Sequence, residues 1–361
     1  MLIGIDASKV VKPFKTGTET YSVEIIKALA KIDRQNDYLL YTPKPLDNKL
    51  PDLGKNFKVK ILPFGKFWTQ IRLSLEMLSH KPDILFIPAH TLPLIFPQKT
   101  VVTLHDLGFK HFPELYSRSD IYYHNWAMDH SVKHAYRILT DSEFTKKDLM
   151  FNYTLDPTKI SVVPLGYDEK TFRPPASKSL RRKPYLFYIG RLEEKKNIVG
   201  MIKAYAILRQ EKGIRHQFIL AGRPGFGYEK IKEAIAKLPS EIQRDVIELG
   251  YVDQKTYINY LKNASILFFC TFFEGFGLPL LEAMASGVPV VASNCTSIPE
   301  ITGKAAVLVD PTKHFEMAVA LSRVIHNKGL QKALISKGLT RASLYSWEKT
   351  AKKTLEILEN L

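Results

Sequence analysis

The feature that most constrains this chain is a rhythm that occurs twice. Apolar runs of four to six residues, rich in Ile, Val, Leu and aromatics, alternate with stretches of helical periodicity. The first set comprises Leu2–Asp6, Tyr38–Tyr41, Lys58–Leu62, Asp83–Ile87 and Thr100–His105, with a helix predicted over Glu19–Lys31. The second set comprises Tyr185–Ile189, Gln217–Ala221, Val246–Leu249, Ile266–Cys270, Pro289–Ala292 and Ala306–Val309. Strands alternating with helices pair in parallel, because each crossover helix must lie on a face of the sheet. The pattern predicts an α/β chain of two doubly wound, Rossmann-like domains facing across a cleft, with ligands at the carboxyl ends of the strands.

With 361 residues the chain is long enough for two cores. Between the two sets, the stretch from Arg173-Pro-Pro to Arg181-Arg-Lys-Pro184 has neither periodicity and is rich in proline and cations, so the linker is placed there. The expected domains are 1–170 and 171–344. The tail, about 345–361, has Leu355, Ile357 and Leu358 at helical spacing and is expected to pack back on the first domain.

The formal charge is +16, unevenly divided: residues 1–170 hold 23 Lys and Arg against 19 Asp and Glu, and residues 171–361 hold 29 against 17. The second half is therefore expected to attract an anion, either nucleic acid, an acidic membrane or the phosphates of a small ligand. Nucleic acid is not expected, because the cations are scattered rather than interleaved with aromatics in a binding motif. The start, Met1 to Lys9, runs straight into a strand and has no secretory signal pattern, and Pro88, His90 and Pro93 interrupt the most apolar stretch. Two cysteines, Cys270 and Cys295, read as reduced thiols of a cytoplasmic protein.

Chemistry concentrates in Glu274-Gly-Phe276-Gly277-Leu278-Pro-Leu-Leu-Glu282, which reads as a buried strand end, a glycine turn and a helix with Pro279 near its first position. Such a turn presents backbone N–H groups at a helix N-terminus, a ready anion site, and its glycines let a ligand approach the backbone. Two flanking carboxylates suit sugar and ribose hydroxyls. The plainer alternative makes Glu274 a turn residue and Glu282 a helix-dipole partner.

A second cluster, Gly190-Arg191-Leu-Glu-Glu-Lys195-Lys196-Asn197, follows another strand, and Arg191 with Lys196 could neutralise a diphosphate. Its alternative is a solvated loop whose charges pair with Glu193 and Glu194. In the first half, Thr16 and Glu19 have capping-box spacing around Gly17, where a phosphate contact is a second role. His105-Asp106 ends a strand, where the histidine either touches substrate or is satisfied by its own neighbours. His130 and His134, with His124 nearby, lack a third metal ligand, and the chain has no Asp-x-Asp pair to hold a divalent ion against a diphosphate. No metal and no other cofactor is therefore expected. Phe67, Trp68, Ile71, Leu75 and Leu78 form an apolar stripe assigned to the core, with a membrane-surface helix as the second reading.

Glu274 to Glu282 resembles the Glu-x7-Glu signature of the family 4 retaining glycosyltransferases, the group 1 glycosyltransferases of GT-B fold. Ala283-Met-Ala-Ser-Gly287-Val-Pro289, Ile298-Pro-Glu300, Gly190-Arg191 with Lys196-Asn197, the loop at Gly17, His105-Asp106 and Val163-Pro-Leu-Gly166 also occur in family order. The resemblance implies an acceptor-side N-terminal domain and a C-terminal domain that binds a nucleotide-diphosphate sugar. Glu274 would contact the donor sugar, Glu282 the ribose, and the amides of Phe276, Gly277 and Leu278 the sugar or its phosphate. Arg191 and Lys196 would hold the diphosphate, Gly17 would close over it and His105 would line the sugar pocket, with Gly190 and Arg223 on the donor side. The implied reaction retains anomeric configuration without metal and moves a hexose, with mannose the first candidate, to a glycan or lipid-linked acceptor in cell-surface glycan synthesis. Peripheral contact with the inner face of the cell membrane is a further implied partner. A nucleotide-sugar 2-epimerase and a non-catalytic nucleotide-sugar-binding protein are the alternatives. The single glycine at Gly17, where a fuller glycine run is common in the family, leaves the closing of that loop open.

Overall fold

The computed structural model describes residues 1–14, 16–175 and 183–361. Lys15 of the first loop and residues 176–182 of the stretch assigned to the linker lie outside the described residues.

The first sheet contains β1 (Leu2–Asp6), β2 (Asp37–Thr42), β3 (Phe57–Ile61), β4 (Ile84–Ile87), β5 (Thr100–Leu104), β6 (Arg137–Thr140) and β7 (Ile160–Val162). All are parallel, in the order β3-β2-β1-β4-β5-β6-β7. The second contains β8 (Tyr185–Ile189), β9 (Gln217–Ala221), β10 (Val246–Gly250), β11 (Ile266–Phe269), β12 (Val290–Ser293) and β13 (Ala306–Val309), parallel in the order β10-β9-β8-β11-β12-β13. Each sheet starts at a central strand, steps outward twice, then returns to the other side of it. That is the Rossmann order, and it reverses between β1 and β4 and again between β8 and β11. The central strands are apolar because they are covered on both faces: every residue of β4, β5, β11 and β12 is buried.

The chain divides into two compact units, one of 1–109, 117–166 and 346–361, the other of 110–116 and 167–345. The boundary falls before the proline-rich stretch rather than within it, because Phe172 is already buried in the second unit, its ring 5.8 Å from that of Tyr257. Residues 110–116 belong to the second unit for a similar reason: the His111 ring lies 4.8 Å from Phe273.

The tail forms a helix, Trp347–Glu359, capped by the Ser346 hydroxyl, which accepts from Lys349 N–H. It lies in the first unit against the helix Gly17–Ile32, tied by Lys31 to Glu348 (3.3 Å) and by Thr350 Oγ1 donating to the Pro164 carbonyl (2.8 Å). Gly166 makes this docking sterically possible, since a Cβ there would sit 2.0 Å from the Trp347 nitrogen.

The apolar stripe departs from the core assignment. Trp68 is buried, but Phe67 is exposed just before, and Ile71, Leu75 and Leu78 are exposed along, a helical segment made of a π turn, Thr69–Leu73, and a short α-helix, Ser74–Ser79. The core beneath is already filled by Leu73 and Met77 from the opposite side of the same segment. Among the described residues no helix is long and apolar enough to cross a membrane.

Candidate active site

The second unit gathers its chemistry where its strand order reverses. β8 ends at Ile189 and leads into Gly190-Arg191, and β11 ends at Phe269 and leads into the glutamate turn. Because these two strands are direct neighbours, the loops leaving their carboxyl ends are brought side by side. Lys196 Nζ donates to Glu274 Oε1 at 2.8 Å, both side chains being more than four-fifths buried. Asn197 fixes the loop: it holds left-handed backbone (φ 55°), and its amide donates to the carbonyls of Cys270 (2.9 Å) and Pro311 (2.7 Å). The Lys196 ammonium is thereby locked against the end of β11.

The turn is held as firmly. Ser297 Oγ donates to the carbonyls of Glu274 (2.9 Å) and Phe276 (3.2 Å). Gly277 takes φ 95° immediately before the helix Leu278–Ala285, a conformation a side chain would strain. Phe276 is buried with its ring edge toward Tyr345, and Leu278 opens the helix with Pro279 behind it. The amides of the first helical turn therefore point out of a fixed frame with the dipole's positive end.

Glu282 lies one helical turn inside. The Tyr257 hydroxyl donates to its carboxylate, and Asp168 stands near enough to repel it. Burial is the larger influence: it raises the Glu282 carboxyl to about 7, the tyrosine bond opposing the rise and Asp168 adding to it. Arg191 is more open, its side chain 57% exposed and its Nε 3.5 Å from Glu193, so its local pairing is the one expected of a solvated loop. Gly190 abuts Gly222, where a Cβ would lie 1.7 Å from the Gly190 carbonyl oxygen. Arg223, just beyond, is exposed after β9.

In the first unit, Gly17 is the exposed first residue of its helix, and the capping box is present, with Thr16 N–H donating to the Glu19 carboxylate at 3.1 Å. His105 is buried after β5. Its Nδ1 meets Asp141 Oδ2 at 2.6 Å and its Nε2 meets the Pro88 carbonyl at 3.0 Å. Two acceptors are best satisfied by the imidazolium, and although burial opposes charge, Asp141 and Pro88 carry its pKa above the usual value. The histidine is thus satisfied by its own neighbours, and a sugar contact through Nε2 would require exchanging the Pro88 bond. His90 stacks edge-on against it with ring centroids 5.1 Å apart and a buried Nδ1 without a hydrogen-bond partner. Burial, with the His105 charge beside it, lowers His90 to about 3, so it is a neutral imidazole at the end of β4.

Two family profiles match this chain: Glycosyltransferase Family 4 over residues 15–171 and Glycosyl transferases group 1 over residues 169–341. The chain belongs to the group 1, family 4 glycosyltransferases. It is 28% identical over 376 aligned residues to the O-antigen chain mannosyltransferase B of Escherichia coli, an alignment covering 97% of this chain and 98% of that one. Sucrose-phosphate synthase from Thermosynechococcus elongatus superposes with a TM-score of 0.80 at 18% identity, over 100% of this chain and 98% of that one. Anabaena HepE, solved in complex with UDP and glucose, superposes with a TM-score of 0.76 at 19% identity, over 100% of this chain and 99% of that one. At these identities the two solved structures speak to fold, and two Rossmann-ordered sheets in one chain is the GT-B architecture.

For a glycosyltransferase of this family, sequence reasoning passed over several residues that shape the site. Asp141, His105's partner, follows β6, a four-residue strand that periodicity did not separate from its flanks. Tyr257, on the helix Gln254–Asn263, and Ser297 are joined to the glutamate turn only by tertiary contact. His90 had a signal, as a histidine just past an apolar run.

Proposed function

We propose that this glycosyltransferase transfers mannose, with retention of anomeric configuration and without a metal ion, from a guanosine-diphosphate sugar to a lipid-linked or polysaccharide acceptor in cell-surface glycan synthesis. The observation that carries the reading is the cation–carboxylate pair Lys196–Glu274, flanked by Arg191, at the reversal point of the second sheet. Likeness to the E. coli O-antigen mannosyltransferase along nearly the whole chain supports mannose and the class of acceptor.

In this reading the donor diphosphate takes Lys196 from Glu274. Arg191 and Lys196 neutralise the phosphates, and the released Glu274 carboxylate accepts hydrogen bonds from the sugar hydroxyls. The phosphate is the leaving group: its bond to the anomeric carbon breaks while the acceptor oxygen bonds that carbon from the same face. The acceptor proton passes to the departing phosphate oxygen, so no separate protein base is needed. Glu282 accepts from the ribose hydroxyls. The two cations take the role that a metal fills elsewhere, which suits a sequence without Asp-x-Asp. The reaction belongs at the cytoplasmic face of the cell membrane, where activated sugars and lipid-linked acceptors meet.

A thermal-shift panel of guanosine-, uridine- and adenosine-diphosphate sugars tests the donor. Ligand at 100 times its Kd adds about 2.7 kcal/mol of stability, so the correct donor should stand out in Tm. A shift with guanosine-diphosphate mannose above the others is expected. A preference for another nucleotide would overturn the donor assignment, and conversion of a donor alone into its 2-epimer would replace transfer with epimerisation.

A further inference from the structure

The reversal point of the first sheet, where β1 and β4 lie side by side, holds a buried nitrogen that bonds to nothing among the described residues: His90 Nδ1. His90 stands just past β4 in a loop whose course is fixed. Ser131 Oγ, fully buried on the helix Arg118–His134, donates to the His90 carbonyl at 2.7 Å and accepts from the Leu92 N–H at 3.2 Å. Two residues earlier in the same loop, the Pro88 carbonyl meets His105 Nε2 at 3.0 Å. The backbone is therefore settled without any ligand, as a preorganised contact requires.

The neighbours cannot serve the orphan nitrogen. The His90 ring packs edge-on against that of His105, centroids 5.1 Å apart, and His105 meets Tyr21 edge-on at 4.9 Å. Both nitrogens of His105 are already engaged, Nε2 by Pro88 and Nδ1 by Asp141 Oδ2 at 2.6 Å, so that ring is not free to turn. Asp106, Lys9 and His124 stand near enough to act on His90 by charge, yet none of them bonds Nδ1. Burial, with His105 beside it, lowers His90 to about 3, so the ring is a neutral imidazole with one N–H and one lone pair.

A buried polar atom left unpaired costs its full desolvation, so a fold that keeps one calls for a partner that arrives later. His90 as a residue is only partly buried, so its ring runs inward from the surface. It also sits at the carboxyl end of β4, the side on which a doubly wound sheet binds its ligands. A hydroxyl is the fitting partner. It both donates and accepts, so it satisfies Nδ1 in either tautomer. A carboxylate or phosphate only accepts and would stand beside Asp106, whereas an ammonium only donates and would stand beside Lys9.

We propose that His90 is a specificity-determining residue that pairs, through Nδ1, with one hydroxyl of a sugar substrate, the donor's or the acceptor's. The inference rests on sugar transfer as the reaction, and adds to it a residue outside the glutamate turn and the Gly190-Arg191 loop.

The test is steady-state turnover of guanosine-diphosphate mannose and a lipid-linked glycan acceptor by the full chain, wild type against His90→Phe and His90→Gln. Phenylalanine keeps a ring against His105 and removes the unpaired nitrogen, so its Tm should match or exceed that of the wild type. Its KM for one substrate should nevertheless rise about tenfold with kcat little changed, the scale of one lost neutral hydrogen bond. Glutamine, which donates and accepts, should recover part of that affinity. A rise in the donor's KM places the hydroxyl on the transferred sugar; a rise in the acceptor's places it on the glycan. Unchanged KM for both substrates overturns the proposal, as does a fall in Tm and kcat together, which would make His90 a packing residue. If the wild type turns over neither substrate, the donor and acceptor reading fails and nuclear magnetic resonance of the 15N-labelled histidines decides. Titration with methyl α-mannoside should then move the His90 ring nitrogens and leave those of the exposed His80 in place. An unmoved His90 at the solubility limit of the glycoside overturns the proposal.

Discussion

Lys196 and Glu274 neutralise each other at 2.8 Å, so each becomes available to a ligand only when the other is released. In Glu274→Gln the ammonium keeps a neutral partner. Calorimetry should therefore find guanosine diphosphate bound as tightly as in the wild type or more tightly, while turnover falls by about a hundredfold or more, the scale of losing one preorganised polar group. Arg191→Ala should lower turnover by a similar factor of about a hundred and weaken diphosphate binding as well. Unchanged turnover in either variant would remove that residue from the mechanism. Glu282 adds a pH dependence. Its carboxyl is raised to about 7, and its ionised form accepts ribose hydroxyls best, so donor affinity should rise as pH increases through 7. Tyr257→Phe, which takes away the bond favouring the carboxylate, should move that rise to higher pH. For stability the sign is opposite: the folded value lies above the ordinary one, so Glu282 costs stability progressively between about 4.5 and 7 as pH increases. Glu282→Gln should escape that loss, giving a larger Tm advantage at pH 8 than at pH 5 together with weaker donor binding.

Among the elements, the strands that build the two switch points were legible because the parallel sheet makes them apolar throughout. Tyr185–Ile189 and Gln217–Ala221 match β8 and β9 to the residue. The same apolar signal could not tell core from exposed surface in the row at Phe67: periodicity reports a face, and only packing says what covers it. Strands β6 and β7, of four and three residues, were too short for periodicity to register, and Asp141 was lost with β6. The glutamate turn was legible from glycine and proline chemistry, whereas its clamps, Ser297 and Asn197, act across the sheet. Gly166 belongs to this scale too. A Cβ there would strike the Trp347 backbone, so Gly166→Ala should cost about 1–3 kcal/mol by overpacking and loosen the C-terminal helix. Thermal unfolding and amide exchange along 347–359 would check this, and native protection in the variant would count against it.

For the whole molecule, two Rossmann orders in one chain supply two sheet-reversal points with different chemistry. The second carries cations and the glutamate turn; the first carries His90, lowered by burial, beside His105, raised by its hydrogen-bonded partner Asp141 against the opposing effect of burial. The charge follows the same division, with +12 of the net +16 in residues 171–361, as an anionic donor requires. The most direct measurement of the central claim is transfer itself: the purified protein with guanosine-diphosphate mannose and a lipid-linked glycan acceptor in EDTA, the product's anomeric configuration read by NMR. The account predicts a glycoside with the configuration of the donor at a rate that EDTA leaves unchanged. An inverted product, or transfer that stops in EDTA and returns with a divalent ion, would contradict it.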